Sequence, residues 1–494
     1  MKSFHDLMKP YNIGSADQGT EFSPKPLLDA FEDFHGSWFD LDLNVKIAAD
    51  DLKRLKSELL SQMTQRGLSP GDRVLTALPN GPLFVAIWAA SLEAGASPIL
   101  VHSDTPDPEL ERMAARWGAT FLATEARNGE DRNQSGGFLA AGQYGAIRWQ
   151  RREAGDNPGD QLTLVSLPLH PTSGTSGGPK IAVRPGPCAI AEPRHYIETL
   201  SIERSDSILC AIPMSHAYAY GMCFLVALLT SAELVFMRRF NPALAHRAFD
   251  QMKISVFPAV PIMLDSLLAT PATGSLGRPR IVLSAGTPLS RKTFEEFRRQ
   301  YGLSVRSLYG TTETGGISIG LEEEDFTDSV GIPMRGVEVD LSETSGKDVR
   351  VVRVRSSSMM GGYLEGDRIS RDQIPDGWFE TGDVARRDAQ GRLLLQGRLS
   401  EVINVFGYKV IPREVEEIIL MLPQVGDVKV YAGRHLGPDV VEAAVVCHEP
   451  ISEAQIIEHC EKHIVSYKCP TAVRFVDALP RTASGKVAVE CLAE

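Results

Sequence analysis

Short apolar runs alternate with segments of helical period along most of this chain, and that alternation restricts the fold more than any other feature. Helical periodicity covers 47–66 through Ile47, Leu52, Leu55, Leu59 and Leu60, until Gly67, Pro70 and Gly71 end it. A strand is predicted at Arg73–Leu78, a turn at Pro79, Asn80 and Gly81, and a helix from Leu83 to Ala94. A strand at Ser97–Val101, a helix over Pro108–Trp117 and a strand at Thr120–Thr124 follow. The pattern resumes from Ile208 to Val256. There the apolar stretch Gly221 to Met237, broken by Thr230, Ser231 and Glu233, reads as a core helix running into a strand and not as a membrane span. This β–α–β order predicts an α/β fold with helix-covered, mostly parallel sheets. Residues 128–160, rich in Gly, Asn, Arg and Gln, are expected to form loop. Near 398 the texture changes to short mixed strands (Val428–Tyr431, Val440–Cys447) and amphipathic helices (Arg413–Leu422, Glu453–Ile464). A large N-terminal domain over 1–397 and a small α+β domain over 398–494, joined by a hinge, are therefore expected.

At 494 residues the chain is too long for one core, in keeping with that division. Its net charge of −12 excludes general binding to nucleic acid or anionic membranes, while leaving room for a local nucleotide cradle. The seven cysteines form no C-x-x-C pair and no metal-type spacing, which predicts a reducing, cytoplasmic setting. The opening Met1–Asp6 is polar and lacks an apolar run, so no signal peptide is expected.

Chemistry concentrates at 170–183. Thr172, Ser173, Thr175 and Ser176 interleave with Gly174, Gly177 and Gly178, and Lys180 closes the run. Glycines let backbone N–H groups turn toward an anion, hydroxyls add donors, and the lysine supplies a point charge, as a polyphosphate cradle requires. Ordinary surface loops also carry such glycines. Ile181 follows the lysine where a P-loop needs Ser or Thr, which disfavours chemistry of that type.

Four further clusters follow in order. Gly286, Thr287 and Pro288 close a small-residue turn after the apolar strand Ile281–Leu283. Tyr309, Gly310, Thr311, Thr312 and Glu313 follow strand Ser304–Leu308, with the parts to stack a base, donate to a phosphate and hold Mg2+. Glu313 also reads as a helix N-terminal carboxylate. Asp383 stands on a predicted turn, suited to two ribose hydroxyls, and Lys486 lies on a Gly-flanked loop.

Together these motifs, from Gly67 to Lys486, resemble the acyl-adenylating superfamily of acyl- and aryl-CoA synthetases, peptide-synthetase adenylation domains and firefly luciferase. The resemblance implies that a carboxylate attacks the α-phosphate of ATP, releasing pyrophosphate, and that the acyl group then passes to a thiol. It makes Thr172–Lys180 the loop over the β- and γ-phosphates, and Gly286, Thr287 and Pro288 the adenine wall. Tyr309, beside Gly310, becomes the stacking aromatic, Thr312 the α-phosphate contact and Glu313 the Mg2+ ligand. Asp383 and Arg398 take the ribose contacts, and Lys486 bridges the substrate carboxylate and the α-phosphate. The small domain is mobile in this family. Gly407 matches the glycine lining the phosphopantetheine tunnel, and Lys409 is a candidate beside it for the acceptor's phosphates, as is Arg434. Ser400 replaces the usual hinge Asp or Lys, Ile181 the usual glycine, and Val489 a common basic residue.

His216, in the segment Pro213–Gly221, resembles the gating histidine of the acyl- and aryl-CoA branch. No acidic residue lies between Ile212 and Ala232 to pair an α-amino group, although a β-amino acid held by a carboxylate from elsewhere stays open. A small or medium acid, aryl or short acyl, is expected, with CoA as acceptor and a carrier-protein phosphopantetheine as the alternative; a homodimer stays open. A luciferase-like oxygenase and a degenerate adenylate-binding scaffold are the rival readings. The second is disfavoured because Lys180, Thr312, Glu313, Asp383, Arg398 and Lys486 are all present.

Overall fold

The computed structural model describes residues 22–126, 137–152, 166–172, 179–271, 279–320, 326, 328–343, 349–366, 368–405, 408–433, 440–481 and 487–492. The chain divides into two compact units, the first made of 1–327, 331–338 and 354–379, the second of 328–330, 339–353 and 380–494.

The first unit holds two sheets, each of nine strands among the described residues. One runs Ile332–Pro333, Gly315–Ile319, Val305–Thr311, Ile281–Ser284, Val256–Ala259, Ser207–Cys210, Glu233–Phe236, Ser37–Asp40 and Val45–Ala48. Its interior pairings are parallel, as the helical crossovers require. The other runs Arg368–Ser370, Gly362–Glu365, Lys180–Val183, Leu169–Thr172, Ser97–Leu100, Arg73–Ala77, Phe121–Glu125, Ala146–Arg151 and Gly137–Ala140. Its centre is parallel, with antiparallel strands at both edges. Helix Pro82–Glu93 is buried on nearly every side, so its sequence shows little amphipathic pattern. Trp88 of that helix meets Phe224 edge-on at 5.0 Å, and Trp38 of the first sheet meets the same Phe224 at 5.8 Å, which joins the two sheets through one aromatic cluster.

The loop expected over 128–160 is corrected in its described part: Gly137–Ala140 and Ala146–Arg151 are strands. Ile147 and Trp149 alternate inward at 0% and 2% exposure, and Trp149 stacks on Phe121. Period-two burial outweighs the polar composition of the stretch.

Strands Val337–Glu343, Arg350–Ser356, Phe379–Arg387 and Leu393–Arg398 form a four-stranded sheet, most of whose residues belong to the second unit. After a single turn at Leu399–Glu401, which contains Ser400, comes the hairpin Ile403–Val405 and Tyr408–Val410. Helices Pro412–Ile419 and Glu453–His463 then pack on the sheet Val425–Gly433, Val440–Cys447 and Ala472–Phe475. Val415, Ile419, Val430, Val445, Ile456 and Cys460 form that core. No described helix is long and apolar enough to cross a membrane.

Candidate active site

Gly286 and Tyr309 reach the same end of the first sheet because their strands are parallel neighbours, with Ser284 opposite Ser307. Open α/β sheets bind ligands at that carboxyl end. At Gly286 φ is +89°, and a Cβ would stand 3.7 Å from Val260, so backbone conformation and not space calls for glycine. Thr287 and Pro288 continue the turn. Tyr309 is buried within the strand, which runs on to Thr311 instead of ending at Leu308, because Thr311 pairs with Gly315 in a hairpin. At Gly310 a Cβ would meet the Gly315 carbonyl at 2.5 Å, so the hairpin closes only on glycine.

Thr312, Glu313 and Thr314 form the hairpin's loop, with Gly315 at φ +72° and the Thr311 and Thr314 hydroxyls 3.1 Å apart. The reading of Glu313 as a helix N-terminal residue is thereby set aside. Its Oε1 accepts from the Tyr363 hydroxyl at 2.8 Å, and its backbone carbonyl accepts from Met360 N–H. Lys180 opens strand Lys180–Val183, whose Ala182 lies opposite Tyr363, and its Nζ stands 4.9 Å from the centre of the Tyr363 ring. Thr172 ends the preceding strand, buried. Ser173, Gly174, Thr175, Ser176 and Gly177 lie outside the described residues, as do Gly407 and Lys486 and the side chain of Lys409.

His216 is exposed and caps the short helix Ala217–Ala219, its Nδ1 accepting from Tyr218 N–H at 3.3 Å. The chain continues as a π-helical stretch, Tyr220–Leu225, a geometry that recurs at functional sites, and then as the helix Val226–Thr230.

Several residues that hold this site carry little sequence signal. Asn80, read as a turn residue, is buried: its Nδ2 donates to the Ile212 and Met237 carbonyls at 2.9 and 3.2 Å, and its Oδ1 accepts from Met214 N–H at 2.6 Å. It thus anchors the entry to the segment Pro213–Gly221, the one expected to border the acid. His170, two residues before Thr172, is buried with both ring nitrogens unpartnered and its ring edge-on to Tyr220 at 4.7 Å. Burial, then the charges of Arg184 and His216, hold it neutral, well below the usual histidine range. Arg184 and Glu192 form a buried ion pair. Burial pushes the Glu192 carboxyl up, and Arg184 and the Gly316 N–H oppose the shift.

In the second unit Asp383 lies in the strand Phe379–Arg387, not on a turn, directly across from Arg398. Arg398 Nε pairs with Asp383 Oδ1 at 2.7 Å, and its Nη1 donates to the Thr381 carbonyl at 3.0 Å. Arg481 and Val487, the described residues that flank 482–486 in sequence, pair as an antiparallel bridge, and Arg481 meets Asp427 at 2.7 Å.

The donor set suits a nucleotide with its magnesium. Among the described residues no cluster of three or more His, Cys, Asp or Glu side chains stands ready for a metal, and Glu313 offers one oriented carboxylate. Mg2+ is commonly bound in that way, by one or two carboxylates with phosphate oxygens completing the shell.

Comparisons with known proteins agree with this geometry. The AMP-binding enzyme family model matches residues 50–364, and the model of that family's C-terminal domain matches 414–486. The chain belongs to the AMP-binding enzyme family and is an AMP-forming acid–thiol ligase. It is similar to 4-coumarate–CoA ligase 1 of Oryza sativa, 25% identical over 88% of this chain and 85% of that one. The long-chain-fatty-acid–CoA ligase FadD13 of Mycobacterium tuberculosis is 24% identical over 91% and 93% of the two chains. ATP-bound MatB of Rhodopseudomonas palustris shares the fold, with a TM-score of 0.80 at 22% identity over 95% of this chain and 98% of that one.

Proposed function

We propose that this enzyme activates a small or medium carboxylic acid, aryl or short acyl, as its acyl-AMP with release of pyrophosphate, and passes the acyl group to the thiol of CoA. The observation that carries this reading is the meeting of Lys180 and Glu313 on Tyr363, a cation for phosphate and a carboxylate for Mg2+ held by one side chain. Names among the relatives support the acceptor, since each relative cited by sequence is a CoA ligase; of the two, 4-coumarate–CoA ligase is named for an aryl acid and the other for long-chain fatty acids.

The acid's carboxylate oxygen attacks the α-phosphorus as the bond to pyrophosphate breaks, and the thiol later displaces AMP from the acyl carbon. Two anions must approach in the first step, so catalysis rests on positioning and positive charge, and no general base is needed because the carboxylate is already nucleophilic. Lys180 takes the β- and γ-phosphates, Thr312 donates to the α-phosphate, and Gly286, Thr287, Pro288 and Tyr309 hold adenine. Mg2+, held by Glu313, supplies charge neutralisation on the phosphates when bound. Asp383 and Arg398 take the ribose, Lys486 the carboxylate–phosphate bridge, and Gly407 the thiol tunnel, with Lys409 beside it. His216 borders the acid. We take 398 as the boundary of the small domain's movement.

Glu192 does bring a carboxylate against Gly221 of the acid segment, but Arg184 already matches its charge. That argues for acids without an amino group. The test is ATP–pyrophosphate exchange across aryl, short-chain, hydroxy and amino acids, followed by CoA. Exchange with one class and a CoA thioester supports the reading; exchange with no CoA product turns it toward a carrier protein; no exchange with any acid overturns it.

A further inference from the structure

The Arg184–Glu192 pair excludes water, its side chains being 0% and 2% exposed. Arg184 directly follows strand Lys180–Val183, the exit from the phosphate cradle, and Glu192 lies on helix Gly186–Leu200. Arg184 Nη1 donates to the Thr312 carbonyl at 2.9 Å, and Glu192 accepts from the Gly316 backbone N–H. The hairpin loop 312–314 is therefore gripped on both sides by the two partners of one ion pair. Glu192 also fills the space beside Gly315 and beside Gly221 of the acid segment, where an added Cβ would land on its carboxylate. Apolar side chains of similar volume generally serve stability as well as a buried ion pair, so stability alone leaves this one unexplained.

We propose that Arg184 and Glu192 are positioning residues, which fix the Thr312–Glu313 loop against the segment Pro213–Gly221 so that the α-phosphate and magnesium contacts stand in register with the acid. The inference rests on the roles given above to Thr312 and Glu313.

Two variants test it: Arg184→Lys and the double replacement Arg184→Met with Glu192→Leu. The double variant leaves no unpaired buried charge and so keeps the protein folded. Calorimetry without acid reads the affinity for Mg·ATP and, separately, for adenosine, which uses the adenine wall and the ribose contacts but neither the α-phosphate nor the magnesium contact of the loop. The double variant is expected to bind Mg·ATP about ten-fold more weakly, the scale of one lost charged hydrogen bond, with adenosine affinity unchanged. Arg184→Lys, which keeps the charge without the fork, falls between. The control is Arg280→Gln, which breaks a 2.6 Å ion pair with Asp206 in the same unit away from the loop; it lowers Tm and leaves both affinities unchanged. Equal loss of Mg·ATP and adenosine binding, or unchanged Mg·ATP binding, overturns the proposal. A wild-type protein that binds no Mg·ATP overturns the functional reading instead.

Discussion

Tyr363 donates its hydroxyl to Glu313 at 2.8 Å while Lys180 sits over the face of its ring at 4.9 Å. One aromatic side chain thus orients a carboxylate with its edge and a cation with its face. Tyr363→Phe keeps the face and removes the edge contact. We expect a shift of the magnesium requirement to higher concentration and roughly ten-fold slower pyrophosphate exchange, since a hydrogen bond to a charged group is worth about 1.5–3 kcal/mol. A magnesium titration of exchange reads this directly, and an unaltered titration would remove Tyr363 from the site.

Asn80 supports the acid segment from a different strand–helix junction. Asn80→Ala leaves the Ile212 and Met237 carbonyls and the Met214 N–H short of a partner. The expected loss is about 2–3 kcal/mol in urea unfolding, within the range for orphaned buried groups. Because the anchored segment leads to His216, KM for the acid should rise more than KM for ATP. Equal changes in both would mean that Asn80 acts on stability alone.

His195 gives the fold an acid sensitivity of its own. Its ring is buried over Gly336, with Nε2 3.3 Å from Ser357 Oγ, and burial, then Arg194, holds its pKa down to about 4 from an ordinary 6.5. The folded chain keeps the ring neutral where the unfolded chain takes up a proton. Its contribution is therefore complete above pH 6.5 and is lost as pH falls toward 4. Stability should fall by up to about 1.4 kcal/mol per pH unit in that window. His195→Gln should flatten the urea midpoint between pH 7 and 5, while His170, pushed down in the same direction, keeps a residual slope. An identical slope in the variant would contradict the assignment.

The two half-reactions should separate by mutation. Lys486→Ala is expected to slow adenylation by orders of magnitude and to spare thioester formation from preformed acyl-AMP. Gly407→Leu is expected to do the reverse, with pyrophosphate exchange retained. Equal loss of both half-reactions in Lys486→Ala, or thioester formation retained in Gly407→Leu, would withdraw these roles.

Much of the frame was legible in the sequence because it rests on local pattern: the 49–65 helix, the strands at 73–77, 97–100 and 281–284, and the order of the motifs. The edge strands around Trp149 were hidden because a polar stretch masked a period-two burial pattern. The supporting residues were hidden for another reason. Tyr363 reaches a carboxylate fifty positions earlier, Asn80 carries the signature of a turn, and Arg184 and Glu192, eight apart, resemble an ordinary surface pair until the fold closes over them. Partnerships set by tertiary closure leave no periodic trace.

The wedge of Glu192 between Gly221 and Gly315 has a practical corollary for anyone retuning which acid the enzyme accepts. Side chains introduced at either glycine would displace the wedge before they reshaped a pocket, so selection at those two sites should return mostly inactive clones. Diversity is better spent at the exposed His216, where new bulk meets solvent instead of a buried charge.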